Sequence, residues 1–325
     1  MKEINVLILS AGRRVELINC FKEGRDSLGI KGKVVAVDIS NTAPALYHAD
    51  CFHLIPRISE ESYIDSIIEV CQKENIHLII PTIDTELQKL AENRALIEER
   101  TNAKVHVSDE RVVKICRDKY NTQDFFEENG FGIPKLISHE DIVNKNYHFP
   151  LFIKPLNGSS SVNTFKVKNE KELEFFLEYV PSPLVQEFIE GEEFTVDVFT
   201  DFDGNPITIV PRVRLATRGG EVAKGLIKKD FEVVEIVKEV VKVLKPLGHI
   251  TIQCMKTKEG IKFIEINPRF GGGAPISIKA GAHSPKYLYQ LLLGEKLMYH
   301  EDFEDGILGL RHDEAVFLNK EGNII

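Results

Sequence analysis

The sequence predicts an α/β unit followed by a larger part of mixed α+β character. Strand and helix alternate over about the first hundred residues, which is the pattern of an open parallel sheet. Beyond residue 150, short strands recur in pairs joined by turns rich in polar residues and glycine. The chain has 325 residues and is 43% hydrophobic, enough to bury a large core in two or three domains.

Residues 6–9 read as a buried strand, 13–28 as a helix, 33–37 as a strand and 63–74 as a helix. Residues 77–80 and 105–107 are further strands, with 84–100 between them as one long amphipathic helix. The turn Ser10-Ala-Gly-Arg-Arg14, with Asp38 ending the next strand, resembles a dinucleotide turn. It has one glycine where G-x-G-x-x-G needs three, so a tight strand-to-helix turn is the preferred reading. Thr82 and Asp84 lie at the carboxyl end of a parallel strand, where open α/β sheets place ligands, and read as facing a substrate or, preferred for Asp84, as the N-cap of the next helix. Arg13 and Arg14 have the same standing, and Ser108 suits the cap of a helix over 109–117. A further helix begins at Asp118-Lys119-Tyr120 and stops at Asn129-Gly130.

Strands at 150–155 and 164–167 flank Asn157-Gly-Ser-Ser-Ser-Val-Asn163, whose small residues let backbone N–H groups wrap an anion, with Lys154 just before them. After a helix over 171–180, two strands flank an acidic turn in Gln186-Glu-Phe-Ile-Glu-Gly-Glu-Glu193. Main-chain groups of Glu187, Phe188 and Ile189 are placed to read an adenine edge, and a carboxylate beyond Gly191 to accept from ribose hydroxyls. The segment holding Arg212, Arg214, Arg218, Gly219-Gly220 and Lys224-Gly225 is basic, and reads either as a cover for phosphates or as a surface loop.

Strands over 250–257 and 261–267 are separated by Lys258-Glu259-Gly260, which predicts a hairpin with a three-residue turn, Thr257 facing Ile261 and Gln253 facing Glu265. Glu265, Asn267 and Arg269 alternate and share a face. Opposed residues have Cβ atoms about 4.5–5.5 Å apart, so two amides and a carboxylate converge. An all-oxygen donor set of this kind suits magnesium. The other face, Ile252, Cys254, Ile264 and Ile266, is expected to seal the core. Phe270-Gly-Gly-Gly-Ala-Pro275 follows Arg269 and offers backbone N–H groups beside a helix start.

In this order the pieces resemble the ATP-grasp superfamily, and within it the carbamoyl-phosphate-synthase-like ATP-grasp proteins, over residues 118–285. The resemblance implies a pre-ATP-grasp α/β domain over 1–108 and a two-lobed ATP-grasp domain over 109–325, with a lid at about 120–186 and a C-terminal lobe at about 187–325. It implies ATP with Mg2+, or Mn2+ in its place. Lys119, Lys154, Gly158, Ser159, Ser160 and Ser161 would hold phosphates, Glu187, Phe188 and Ile189 the adenine, and Glu193 the ribose. Gln253, Glu265 and Asn267 would hold the metal, and Arg269 and Arg214 would act on the acyl phosphate. The implied reaction is ATP-dependent ligation: a carboxylate takes the γ-phosphate, and an amine or other nucleophile then displaces phosphate, leaving ADP. A bicarbonate- or carbamate-activating enzyme and a non-catalytic ATP-binding regulatory subunit are the alternatives.

A formal net charge of -9 and the lack of a basic run argue against nucleic acid. The apolar stretches are too short to span a bilayer. Five scattered cysteines without Cys-x-x-Cys spacing suit buried thiols in a cytoplasmic protein, and ten scattered histidines suggest no zinc site. Partners are expected to be small molecules, with a homodimer allowed.

Overall fold

The computed structural model describes residues 3–156 and 162–325. The first part contains β1 (Asn5–Ile8), α1 (Val15–Ser27), β2 (Val34–Asp38), β3 (Cys51–Leu54), α2 (Tyr63–Lys73), β4 (Ile76–Ile80), α3 (Asp84–Glu92), α4 (Arg94–Arg100) and β5 (Lys104–Val105). Its strands form one parallel sheet in the order β3-β2-β1-β4-β5. Strands β1, β2 and β4 are apolar on both faces because helices cover both sides. The expected alternation is present.

Several local expectations are corrected. Strand β5 ends at Val105 and not at residue 107. The helix expected over 84–100 breaks at Asn93, whose side chain donates to the Lys89 carbonyl at 2.8 Å and competes with the helical ladder. Strand β3 was not foreseen, because an edge strand with alternate residues exposed has no apolar run. Ser108 does not cap the following helix: its Oγ accepts from Leu247 N at 2.9 Å, and Asp109 caps by accepting from Val112 N.

Helices α5 (Glu110–Arg117), α6 (Lys119–Glu128) and α7 (His139–Val143) lead into a small antiparallel sheet. It contains β6 (Leu151–Pro155), β7 (Phe165–Val167) and β8 (Pro183–Glu187), in the order β7-β6-β8, with α8 (Glu170–Tyr179) between β7 and β8 in sequence. Ile137, Leu151, Ile153, Val167, Leu173 and Val185 give it a separate small core.

The remainder builds a larger antiparallel sheet from β9 (Glu192–Thr200), β10 (Pro206–Arg218), β11 (Glu221–Ile227), β12 (His249–Thr257), β13 (Gly260–Asn267) and β14 (Leu308–Leu310). Their order is β13-β12-β9-β10-β11-β14. Helix α9 (Phe231–Leu244) buries Val233, Val234, Val237, Val240 and Val241 against this sheet, and α10 (Ala274–Lys279) and α11 (Ser284–Leu292) follow β13. The basic segment around Arg212 to Gly225 is therefore a β10–β11 hairpin and not a surface loop. Val213, Val222 and Ile227 are its buried anchors.

The β12–β13 hairpin keeps its predicted Gln253–Glu265 pairing by a different route. Thr257 pairs with Gly260 across a two-residue turn, Lys258–Glu259, so the register starts one residue off. A bulge between Cys254 and Gln253 absorbs one residue of β13 and restores it. In consequence Phe263, not Ile264, fills the core, stacked on Phe126 with ring centroids 4.7 Å apart. Ile264 faces a cavity on the polar side.

The first sheet and the larger one share a core. Phe21 of α1 meets Phe270 and Tyr289 edge-on, at centroid distances of 5.7 and 6.3 Å, and Leu288 and Ile278 complete the contact. No helix among the described residues is long and apolar enough to cross a membrane.

Candidate active site

Two cavities meet on the face of the larger sheet. The first, of about 330 Å3, lies between the small sheet and the larger one. Phe152, Pro155, Val162, Phe188, Met255 and Ile264 make its apolar walls, a shape suited to a flat ring. Lys154 projects into it from β6 although the residue is only 6% exposed. Burial lowers the Lys154 ammonium to about 8, Glu265 opposing that shift and Lys119 adding to it. Lys119 starts α6, and its Nζ donates to the carbonyls of Pro155 and Leu156 at 3.0 and 2.8 Å. Burial lowers its pKa as well, again against the pull of Glu265.

Glu187, Phe188 and Ile189 line the same cavity. Two of their amides are engaged: Glu187 N donates to the Lys135 carbonyl at 2.9 Å and Phe188 N to the Pro150 carbonyl at 3.2 Å. Ile189 N has no partner among the described residues. The Glu187 carboxylate accepts from Lys135 N and from Lys262 Nζ, tying β8 to the hairpin. Glu193 lines the cavity with its carboxylate paired to Arg214 Nη1. Gly158, Ser159, Ser160 and Ser161 lie outside the described residues.

The second cavity, of about 520 Å3, is polar, and shares Arg214, Gln253 and Glu265 with the first. Asn267 and Arg269 line it. Glu265 Oε1 accepts from Asn267 Nδ2 at 2.6 Å and from Gln253 Nε2 at 3.3 Å. The two amide oxygens turn outward, Gln253 Oε1 to Arg214 and Asn267 Oδ1 to Arg269. The positive ends of two amide dipoles thus sit where a cation would, and a half-turn of each amide presents three oxygen ligands together. The donor set fits a hard cation.

Asp84 is not a cap. It opens α3 and grips Arg269 as a fork, at 3.1 Å from Nε and 2.7 Å from Nη2. The caps it was expected to supply come from Glu86, whose carboxylate accepts from Thr82 N, Ile83 N, Ser10 and Tyr63. The turn at Gly12 is held by Asp38, whose Oδ2 accepts from Gly12 N at 2.8 Å.

Sequence reasoning missed Thr195, Thr251, Arg117 and Glu221 in the second cavity, and Gln186, Thr217, Met255 and Ile264 in the first. Thr195 and Gln253 are cross-strand partners, so alternation along β9 carried a usable signal for one of them. It also missed a group on the far edge of the first sheet. Cys51, His53 and Glu74 have ligand atoms within 4.8 Å of one another, the one such His/Cys/Asp/Glu group among the described residues. Lys33 Nζ holds Glu74 there at 3.0 Å.

Comparison with known proteins matches residues 116–273 to the family model described as an ATP-grasp domain, and residues 6–106 to that described as a PylC-like, N-terminal domain. Residues 116–273 belong to the ATP-grasp superfamily. This ATP-grasp chain is 26% identical over 254 residues to the 3-methyl-D-ornithine–L-lysine ligase of Methanosarcina acetivorans, covering 76% of this chain and 62% of that protein. It is 24% identical over 153 residues to the carbamoyl-phosphate synthase of Methanobrevibacter smithii, covering 46% of this chain and 41% of that one. The chain thus spans less than two thirds of these curated relatives' own lengths. Among solved structures, the biotin carboxylase domain of Hydrogenobacter thermophilus 2-oxoglutarate carboxylase superposes with a TM-score of 0.73 at 17% identity, covering 94% of this chain and 73% of that one. The L-amino acid ligase of Bacillus licheniformis gives 0.69 at 19% identity, covering 92% and 76%. These likenesses are of fold.

Proposed function

We propose that this ATP-grasp protein is an ATP-dependent, ADP-forming carboxylate ligase. One observation carries the reading: an apolar-walled cavity with a buried lysine opens into a larger polar cavity, and the two meet at Glu265, Gln253 and Arg214. A nucleotide in the first would direct its terminal phosphate toward a carboxylate in the second.

In this scheme Phe152, Met255 and Ile264 sandwich the base, Ile189 N reads its edge, and Glu193 takes the ribose. Lys119 and Lys154 neutralise the phosphates. Gln253, Glu265 and Asn267 would hold Mg2+, which when bound supplies charge neutralisation on the transferring phosphoryl group. Arg214 stands at the junction, where developing charge on the acyl phosphate would lie. Asp84 holds Arg269 in a fixed orientation at the edge of the same space. The relatives named as amino-acid ligases support an amine as the second substrate. A bicarbonate-activating enzyme would need a far smaller donor pocket than about 520 Å3. The division near residue 108, and a cytoplasmic location suited to three buried cysteines, belong to the same proposal.

A screen of carboxylate and amine pairs, reading ADP release with mass detection of the product, tests it. An acid-and-amine-dependent ADP signal with a condensed product is expected. ADP release driven by bicarbonate alone, or no turnover with any pair despite tight ATP binding, would replace this reading by one of its alternatives.

A further inference from the structure

Two arginines in the polar cavity have a use the reaction scheme leaves open. Arg212, on β10, is 2% exposed, yet it reaches the cavity wall. Its Nε donates to Asp197 at 3.3 Å, and neither terminal amino group has a hydrogen-bond partner among the described residues. Asp197 is itself buried. That burial opposes its charge, but Arg212, with His249 and Ser277 adding to it, holds the carboxyl down at about 2, so Arg212 keeps its ionic partner. Several N–H donors of this little-exposed guanidinium thus face the cavity without a protein partner, open to an oxygen ligand.

Arg14 comes from the other side, at the start of α1. Its guanidinium donates one hydrogen bond, Nη2 to the Thr82 carbonyl at 3.3 Å, and Glu221 lies 3.6 Å from Nη1. Gly272 and Gly273 are what admit both heads. A Cβ on Gly272 would lie 2.8 Å from Arg14 Nη1, and one on Gly273 would lie 2.7 Å from Arg212 Cζ and Nη2. Two guanidinium groups therefore flank adjacent glycines in the cavity that the metal-type triad also lines.

We propose that Arg14 and Arg212, across Gly272–Gly273, form a subsite for a second, non-reacting carboxylate, so that one substrate carries an acid group in addition to the group that reacts. Asp197 stands behind Arg212, and Glu221 is shared between Arg14 and Arg311, so the three guanidinium groups and two carboxylates leave many donors and about one net positive charge, which suits a planar monoanion better than a phosphate dianion. This rests on the reading of the polar cavity as the substrate chamber.

Two measurements on the whole chain separate the two ideas. The first is calorimetric titration with glutarate, with its monoamide and with inorganic phosphate, all in the presence of ADP and Mg2+. Glutarate should bind at least tenfold tighter than the monoamide, and Arg14→Gln should abolish the difference. The double variant Arg212→Met/Asp197→Asn, which leaves no buried charge behind, should do the same. Equal binding of acid and amide, an unchanged difference in both variants, or tighter binding of phosphate than of glutarate would overturn the subsite. The second applies to any pair that the ADP screen finds: replacing the non-reacting carboxylate by carboxamide should lower kcat/KM by about a hundredfold. Turnover indifferent to that replacement would sink the subsite and leave the ligase standing. Glutarate binding that depends on Arg14, with no turnover for any pair, would do the reverse.

Discussion

At the scale of single residues, the site works by setting buried charge against unusual partners. Lys154, which the proposed function sets against the nucleotide's phosphates, has its ammonium lowered to about 8 by burial. Phosphate oxygens beside it would favour the charged form, so ATP binding should take up a proton above that pH. Affinity is then expected to fall as pH rises through about 8, by up to about tenfold per pH unit. Calorimetry in two buffers of different ionisation enthalpy at pH 8.5 would show the uptake, and Lys154→Met should abolish it. Glu265 is the one carboxylate of its triad, receiving both neighbouring amides. Glu265→Gln keeps shape and removes charge, so melting should shift little while Mg2+-dependent turnover falls by a hundredfold or more, the loss expected when charge stabilisation at the reacting phosphate is removed. Retained turnover would end the metal assignment.

Among the elements, the β12–β13 hairpin is the informative one, because a short turn and a bulge cancel each other. Counting back from Gly260 predicts the right Gln253–Glu265 pair and the wrong face for Ile264. Register is sensitive to single residues because side chains alternate with period two. The bulge puts Phe263 in the core and lends Ile264 to the nucleotide-type cavity. Phe263→Ala should therefore lower stability by about 3–5 kcal/mol in chemical denaturation. Ile264→Ala should cost about 1 kcal/mol or less and instead weaken ATP binding severalfold, since the side chain is not fully buried. Equal losses of stability would mean the bulge is misplaced.

For the whole molecule, the first sheet and the larger one are joined by more than a linker. Phe21 packs on Phe270 and Tyr289, His249 N donates to His106 Nε2 at 3.1 Å, and Asp84 grips Arg269. A chain starting at residue 109 would expose Phe270, Ile278, Leu288 and Tyr289, a patch large enough to drive aggregation. It should be insoluble or molten, while the full chain unfolds in one transition followed by circular dichroism. A stable, soluble 109–325 fragment would contradict a shared core. Asp84→Ala should loosen the same junction, lowering turnover more than ATP affinity.

Local period and spacing along one strand were enough for the alternating parallel sheet, the order of the later strand pairs and the shared face of Glu265 and Asn267. Gln253 meets Glu265 only because a bulge offsets a turn one residue shorter than the spacing predicts. Pairing Arg212 with Asp197, and Asp84 with Arg269, needed contacts between residues 15 and 185 apart, which no periodicity reports. Asp84 looked like a cap because caps are local and carboxylate–guanidinium pairs are not. The basic stretch after Arg212 reads equally as a loop or as a cover for phosphates, because its arginines mask the alternation of its buried valines. Only the tertiary structure decided which charges were already paired and which donors remained open to a substrate, since burial of both partners is a property of the packed chain.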